Sequence, residues 1–453
     1  MQPTGSRTTE RFNAQWGSTD LPTHSLRWFV RSVSTLIAGV LLIPSFVLAQ
    51  GPIQPASYGY SPGAMYGGPP FQVCGPGCPP GGAAPLSPNT VYELLPDDRF
   101  SHGDELQLAA FSDAFKHAYI RLEYLNWDIE DPGLKNVGAP RADGNTRGIF
   151  TATEPGTLSN VGEANISTLD HIGLHNNNGI RGVFGLPTRI GLFEAGVSVL
   201  EDASSHEVDV PFFNAVTLEP VIPAVTLLEN GVPSDTNMIL FRDGMINTRV
   251  QAEFFTTELN YIMNPVTPNQ PITIRPLFGF QYVRLWDFLD VRGTDLNRNG
   301  TPDDPADDIT LNHRIYSEAK NNVFVPQVGF RAEFEHEYFS VGVTPKFMVG
   351  FNRHRDEVFS EQFFSVDEAR MTTREEASEF APGLDLAVHG KVHINEHFSL
   401  FVSYQLFYMS NISRATENLV FDSIGTTPNL RLNPSQQGTF VDGVTVGGEI
   451  RFH

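Results

Sequence analysis

Side chains that change sides at every residue, in run after run, restrict this chain to folds built from β-strands with one apolar and one polar face. The pattern begins at Ala118, where Ile120, Leu122 and Tyr124 alternate with Arg121 and Glu123. It is sharpest further on, where Phe324, Pro326, Val328, Phe330, Ala332 and Phe334 interleave with Gln327, Gly329, Arg331, Glu333 and Glu335. The next run sets Phe339, Val341, Val343, Phe347, Val349 and Phe351 against Ser340, Thr344, Lys346 and Asn352. Phe380 to Ile394 repeats it, with Leu384, Leu386, Val388 and Val392 opposite Asp385, His389, Lys391 and His393. Phe398 to Tyr408 is less clean, because Phe401, Phe407 and Met409 fall at polar positions. The C-terminal run places Val444, Val446, Ile450 and Phe452 opposite Thr445, Glu449 and Arg451. Fainter runs cover Asn178 to Leu186, Arg189 to Glu201, Thr248 to Met263 and Pro271 to Asp290, the third with apolar residues at both parities.

These runs make ten strands, and their connections choose the architecture. Pro187-Thr188, Asn264 to Gln270, Glu335 to Tyr338 and Asn395 to His397 are tight turns. Between those hairpins lie long polar segments: Glu130 to Asn177, Asp202 to Asn247, Arg292 to Asn321, Arg353 to Glu379 and Asn411 to Thr439. Short turns at one end and long loops at the other, on an even strand number, describe a bacterial outer-membrane barrel. The fold class is therefore all-β: a transmembrane up-and-down antiparallel β-barrel with short periplasmic turns and long external loops. A hairpin inside Asp202 to Asn247, through Val208 to Phe213 or Met238 to Arg242, would raise the count to twelve. A soluble sandwich would have to cover its apolar face with a second sheet, and its loops would not sort by length.

Composition removes several other classes. The mean hydropathy is -0.17, and the one long apolar run, Val33 to Leu48, lies near the N-terminus. A polytopic helical membrane protein needs many such runs. That run follows Arg27 and Arg31 and closes in Val47-Leu48-Ala49, the features of a secretory signal cut after Ala49. The formal charge is -22, and removing residues 1–49, with four Arg against Glu10 and Asp20, leaves -24. So acidic a chain repels nucleic acid. Residues 50–117 form a leader, rich in Pro and Gly from Gly51 to Pro88, with either a short helix or a linker at Glu105 to Phe115. The barrel occupies residues 118–453. Cys74 and Cys78, in Cys-Gly-Pro-Gly-Cys, are either one small disulfide of an oxidising compartment or two thiols.

Tyr119-Ile-Arg-Leu-Glu-Tyr-Leu-Asn-Trp127, Phe278-Gly-Phe-Gln-Tyr-Val-Arg-Leu285, Asn322-Val-Phe-Val-Pro-Gln-Val-Gly-Phe330, Lys346-Phe-Met-Val-Gly350 and Val402-Ser-Tyr-Gln-Leu-Phe-Tyr-Met-Ser-Asn-Ile412 occur in an order and spacing that resembles the family named Putative beta barrel porin-7. The resemblance spans Tyr119 to Phe452 and implies a barrel in the outer membrane of a Gram-negative-type envelope. It supplies no catalytic residue. His453 follows the aromatic Phe452, a departure from the usual ending that bears on how the assembly machinery reads the last strand.

Two kinds of site stand out. Asp295, Asn297, Asn299 and Asp303 begin like a calcium loop, with Gly300 at the turn, but Ala306 replaces the closing Glu. A shorter Ca2+ turn competes with an ordinary polar turn there. The polar faces offer Arg121, Glu123, Gln327, Arg331, Glu333, Lys346, Asp385, His389, Lys391, Glu449 and Arg451 as lumen-lining residues. His389 and His393, four apart on a strand, are about 13 Å from each other and make no metal pair. No G-x-S-x-G elbow, H-E-x-x-H or phosphate-binding loop is present. The expected function is a narrow passive porin-like channel for small solutes or ions, with no enzyme activity and no cofactor beyond loop-bound Ca2+. A closed barrel with a structural or surface-interaction role is the alternative, distinguished by a salt-bridged lumen. A hydrolase with a site on the loop rim, near His354 or His313, is the third. Outer-membrane lipid and the barrel assembly machinery are the expected partners.

Overall fold

The computed structural model describes residues 115–452, apart from 145–147, 154–159, 236, 242–243, 268–269, 298–308, 363–369 and 425–426. In chain order the strands are β1 (Tyr119–Ile129), β2 (Ile149–Thr153), β3 (Asn160–Ile166), β4 (Asn177–Thr188), β5 (Gly191–Leu200), β6 (Ala203–Asp209), β7 (Phe212–Phe213), β8 (Pro220–Thr226), β9 (Leu228–Glu229) and β10 (Met238–Leu240). They continue with β11 (Ile246–Met263), β12 (Ile272–Asn297), β13 (Ile309–Glu335), β14 (Phe339–Glu361), β15 (Met371–His393), β16 (Phe398–Ser413), β17 (Leu419–Ile424), β18 (Thr427–Leu432) and β19 (Gln436–Arg451).

Ten of these close a ring, β1-β4-β5-β11-β12-β13-β14-β15-β16-β19 and back to β1, with every neighbour antiparallel. The seam joins the first and last strands from Tyr119↔Arg451 to Ile129↔Val441. β6 adds no stave. It continues β5 along β11, which pairs with β5 through Phe255↔Val199 and with β6 from Ala252↔Ala203 onward. The segments considered for a further hairpin, Val208 to Phe213 and Met238 to Arg242, contribute the end of β6, β7 and β10. The last two belong to a small sheet outside the ring.

Residues 189–190, 264–271, 336–338 and 394–397 turn the chain at one end, where Tyr119 and Arg451 also lie. The first turn therefore begins after Thr188 rather than at Pro187-Thr188. At the other end two expected loops are largely strand. β12 and β13 pair continuously up to Asn297↔Ile309, and β14 and β15 up to Ser360↔Met371. The reason is an inversion of the alternation. Near the short turns apolar side chains point out and polar ones in. Beyond Phe351 the outward positions are Arg353, Arg355 and Glu357, whereas inward Leu289, Val291, Ile315 and Val358 are buried. A run judged by its apolar outer face stops at the inversion, but the hydrogen-bonded ladder does not.

The outward apolar band carries Ile120, Leu122, Val328, Phe347, Val388, Val402 and Val446, all exposed. An aromatic row bounds it on the loop side: Tyr282, Phe324, Phe351 and Phe380 are register partners on four consecutive strands. Ring centroids lie 5.1 Å apart for Tyr282–Phe324 and 6.0 Å for Phe351–Phe380. Phe334 and Phe339, 6.2 Å apart, mark the turn side. At about 3.3 Å per residue and a tilt near 40°, the span from Phe324 to Phe334 covers roughly 25 Å, the height of a lipid-facing belt.

The wall is uneven. β12, β13, β14 and β15 run 26, 27, 23 and 23 residues, against 11 for β1 and 10 for β5. β15 pairs with β14 as far as Met371, but its register with β16 ends at Gly383↔Met409, so among the described residues its outer half has one paired side. The loop-side segments build two small sheets, β10-β8-β3-β2 with β7 on β8, and β18-β17-β9.

Replacing Phe347, near the middle of the apolar band, with Arg should cost about 2–4 kcal/mol. Replacing Arg353 with Leu, just beyond the aromatic row, should cost far less. Denaturant unfolding of the two variants in lipid vesicles checks the difference.

Candidate functional site

The ring encloses three layers, read here from the short-turn end. The first is a cavity of about 590 Å³ that reaches the mouth formed by His336, Glu337, Tyr338, Asn395 and Glu396. Inward positions of the strands fill its walls with charge, and nearly all of it is paired. Arg121 meets Glu123 and, at 3.7 Å, Glu449. Lys391 and Arg451 donate to the same Glu449 at 2.9 and 3.1 Å. Lys346 lies 2.8 Å from Glu258 and 2.7 Å from Asp385, and Arg181 donates to Glu258. Arg331 holds Glu194 at 2.6 Å, His389 Nε2 is 3.1 Å from Glu333, and Gln327 donates to Asn260. All eleven residues singled out on the polar faces thus point into this layer or its mouth. Tyr119, Arg181, Glu194, Glu258, Asn260 and Arg275 join them. These six lie on runs whose alternation was weak or, for Tyr119, at the edge of a run. His389 and His393 both line this cavity but bond different partners, the second lying 3.1 Å from Ser399.

Above the cavity the inward positions turn apolar. Leu125, Trp127, Phe254, Val325, Met348, Phe407 and Met409 are each at most 3% exposed. Phe254 sits between Trp127 (6.2 Å) and Phe407 (5.7 Å, edge to face). The Trp127 indole donates to Thr445 Oγ1 at 3.1 Å. Gly443 makes room for Trp127, since a Cβ there would lie 2.6 Å from Trp127 Cδ1. Side chains lining a water-filled pore are wet; these are dry and pack together as an apolar belt inside the ring.

The third layer lies on the loop side and ties the chain after β16 into the barrel. Arg414 Nε donates to Asp287 Oδ2 at 2.7 Å and its Nη2 to the Glu130 carbonyl at 3.1 Å. Asp356 accepts from Ser413 Oγ (2.6 Å) and Asn418 Nδ2 (2.8 Å). Asn321 donates to the Ser413 carbonyl at 2.7 Å and accepts from its amide at 2.9 Å. His354 Nδ1 is 2.5 Å from Asp356 Oδ2. Arg414, Asp287, His354 and Asp356 are all buried. Above them Val137, Leu169, Ile172, Leu227 and Phe421, from the loop-side segments, pack in one core with Leu289, Val291, Ile315 and Val358. His354 thus lies against a carboxylate and, through it, a serine on the loop side; Ser413 donates to Asp356, and the group is buried inside a packed core. His313 is buried edge-on to Phe241 at 5.0 Å.

Asp295 and Asn297 of the candidate calcium turn belong to β12, opposite Leu311 and Ile309. Asn299 and Asp303 lie outside the described residues, as do Cys74 and Cys78, the signal segment and the leader up to residue 114.

The hydrogen bond to Asp356 raises the His354 imidazole above its usual value despite burial. A raised pKa contributes stability that is complete below about 6.5 and lost as pH rises through the folded-state value. Amide exchange at residues 411–418 should therefore quicken with rising pH beyond its intrinsic dependence, and His354→Gln should abolish the excess. Arg414→Met strands the buried Asp287 and should cost about 3–5 kcal/mol. Adding Asp287→Asn should recover much of that, as measured by unfolding in detergent.

Comparison with known proteins gives one family and several distant structural likenesses. Among solved structures the chain is similar to the outer membrane protease OmpT from Escherichia coli, with 12% identity, a TM-score of 0.42, and 75% of this chain and 97% of that one covered. It is also similar to a FadL homologue of Pseudomonas aeruginosa (8% identity, TM-score 0.21, 74% and 90% covered). The toluene transporter TodX of P. putida gives 9% identity, a TM-score of 0.19, and 76% and 92% covered. No curated protein matches the chain significantly. The family profile matches residues 119–452, the whole of the ring. The chain is a protein of the outer membrane and belongs to the family Putative beta barrel porin-7.

Proposed function

We propose that this barrel is closed to passive diffusion and acts as an anchor that presents its folded loop-side segments at the cell surface. The dry belt of Leu125, Trp127, Phe254, Met348 and Phe407 carries this reading, because solutes and ions need a continuous water path. The paired charges beneath it and the Arg414–Asp287 tie above it support the same view. A narrow open channel, the first expectation from sequence, would require all three layers to part together. The function is not enzymatic in this reading: His354, the histidine nearest a serine–carboxylate cluster, is spent on fixing a loop. Neither a cofactor nor a soluble ligand is needed, and the working surfaces are the lipid-facing band and the outer sheets.

Planar-bilayer recording of the refolded protein tests this. Wild type should insert without discrete conductance steps. The Trp127→Ala/Phe254→Ala/Phe407→Ala variant, still inserted, should conduct only when the loop-side layer is loosened as well, by adding Arg414→Met. Steps from the wild type would reinstate the channel.

A further inference from the structure

Immediately beyond the aromatic row, on the outward face of four consecutive strands, the side chains change to cations. The first register row there is Arg284↔Asn322↔Arg353↔Ser378, and the second is Trp286↔Lys320↔Arg355↔Glu376. Four cations and one acid thus face outward where the lipid headgroups of the outer leaflet lie. Across the seam with β11, Glu253 adds a second acid opposite Trp286. In a chain with a net charge of -22 this is a local reversal of sign. Acids become frequent only in the next row, Phe288↔Glu318↔Glu357↔Arg374, further from the membrane.

We propose that Arg284, Lys320, Arg353 and Arg355 form a binding strip for the phosphate of anionic lipid headgroups in the outer leaflet. Neighbouring strands lie about 4.8 Å apart, so the four cations stand within reach of one headgroup or two adjacent ones. Trp286 sits among them, with the Arg284 guanidinium 5.6 Å and Lys320 Nζ 4.6 Å from its ring. An indole at the boundary between hydrocarbon and headgroup, flanked by cations, is the arrangement that holds a strand at that depth. Lys320 is paired with Glu318 of the next row, at a less exposed position, so the two arginines of β14 are the cations most open to a phosphate. Arg353 is 72% exposed and 3.6 Å from Glu376, and Arg355 is 39% exposed and 3.0 Å from Glu357. Ion pairs as exposed as these hold weakly. A phosphate offers Arg a bidentate acceptor at the edge of the bilayer, where the competing water is reduced. The strip lies on the outside of the wall, so it is independent of whether the lumen conducts.

The test uses the full chain refolded in a neutral detergent and titrated with phosphatidic acid, with native mass spectrometry reading bound lipid. Wild type should retain phosphatidic acid in preference to phosphatidylcholine. Each cation replaced by Gln should weaken retention about fivefold, and the Arg284→Gln/Lys320→Gln/Arg353→Gln/Arg355→Gln variant should lose the preference. Equal retention by wild type and a folded quadruple variant would overturn the proposal. Displacement of the lipid by inorganic phosphate alone would also overturn it, by making the strip a simple anion site. Should the quadruple variant not fold, the wild-type tryptophan emission, compared with Trp286→Phe, decides. A shift on adding phosphatidic acid that the Trp286→Phe protein lacks supports the strip, and identical responses reject it.

Discussion

A backbone N–H or C=O left without a partner in hydrocarbon costs several kcal/mol, and the rest of this molecule follows from meeting that demand by closure. The pairing of β1 with β19 removes both sheet edges from the lipid band at once. Closure at ten strands fixes the size of the interior. An eight-stranded barrel is filled by ordinary side chains, whereas 16 to 18 strands leave an aqueous channel. At ten, the filling falls to the largest side chains available, and the inward positions supply them: Arg and Lys against Glu near the turns, then Trp127, Phe254 and Phe407. On the loop side the chain itself enters, with Arg414 reaching Asp287.

One ladder of hydrogen bonds therefore runs through two solvents. Inside the lipid band the outer face must be apolar and the inner face can be charged, provided the charges pair. Beyond Phe351 the outer face meets water and headgroups, and the inner face becomes the core of a small soluble β structure covered by Leu169, Ile172 and Phe421. The inversion is a change of solvent written into a continuous strand, and the aromatic row marks where it happens.

The sequence displays the first of these environments far better than the second. Arg121 and Glu123 between Ile120, Leu122 and Tyr124 suffice to orient a strand, and the tight turns suffice to count hairpins. The apolar residues at inward parity, Phe254, Phe401, Phe407 and Met409, look like noise in an outward-facing pattern. Most of them belong to the dry belt, and Phe401 borders the cavity beneath it. Their agreement across two strands, β11 and β16, was the available signal. The upper halves of β12 to β15 passed for loops because periodicity was judged on the face that turns polar. The tie between Arg414 and Asp287 spans 127 residues, and nothing local to either residue announces it. The calcium-like spacing from Asp295 begins on strand β12, and Asn299 and Asp303 lie outside the described residues.

The outer half of β15, paired on one side only, has a consequence for how copies of this protein behave in a crowded membrane. A bare strand edge above the lipid is a template on which a neighbouring barrel could add its own strand, building chains of barrels through their walls. Between Met371 and Phe380 that edge carries Arg374, Glu375, Glu376 and Glu379 and is exposed on both faces. At its lower end Asn411 Nδ2 and Ser410 Oγ donate to the carbonyls of Phe380 and Pro382 at 2.6 and 3.1 Å. Charge along the rim and side-chain caps at its base make the edge a poor splice, so the tall wall can stand clear of the membrane without zipping to its neighbours.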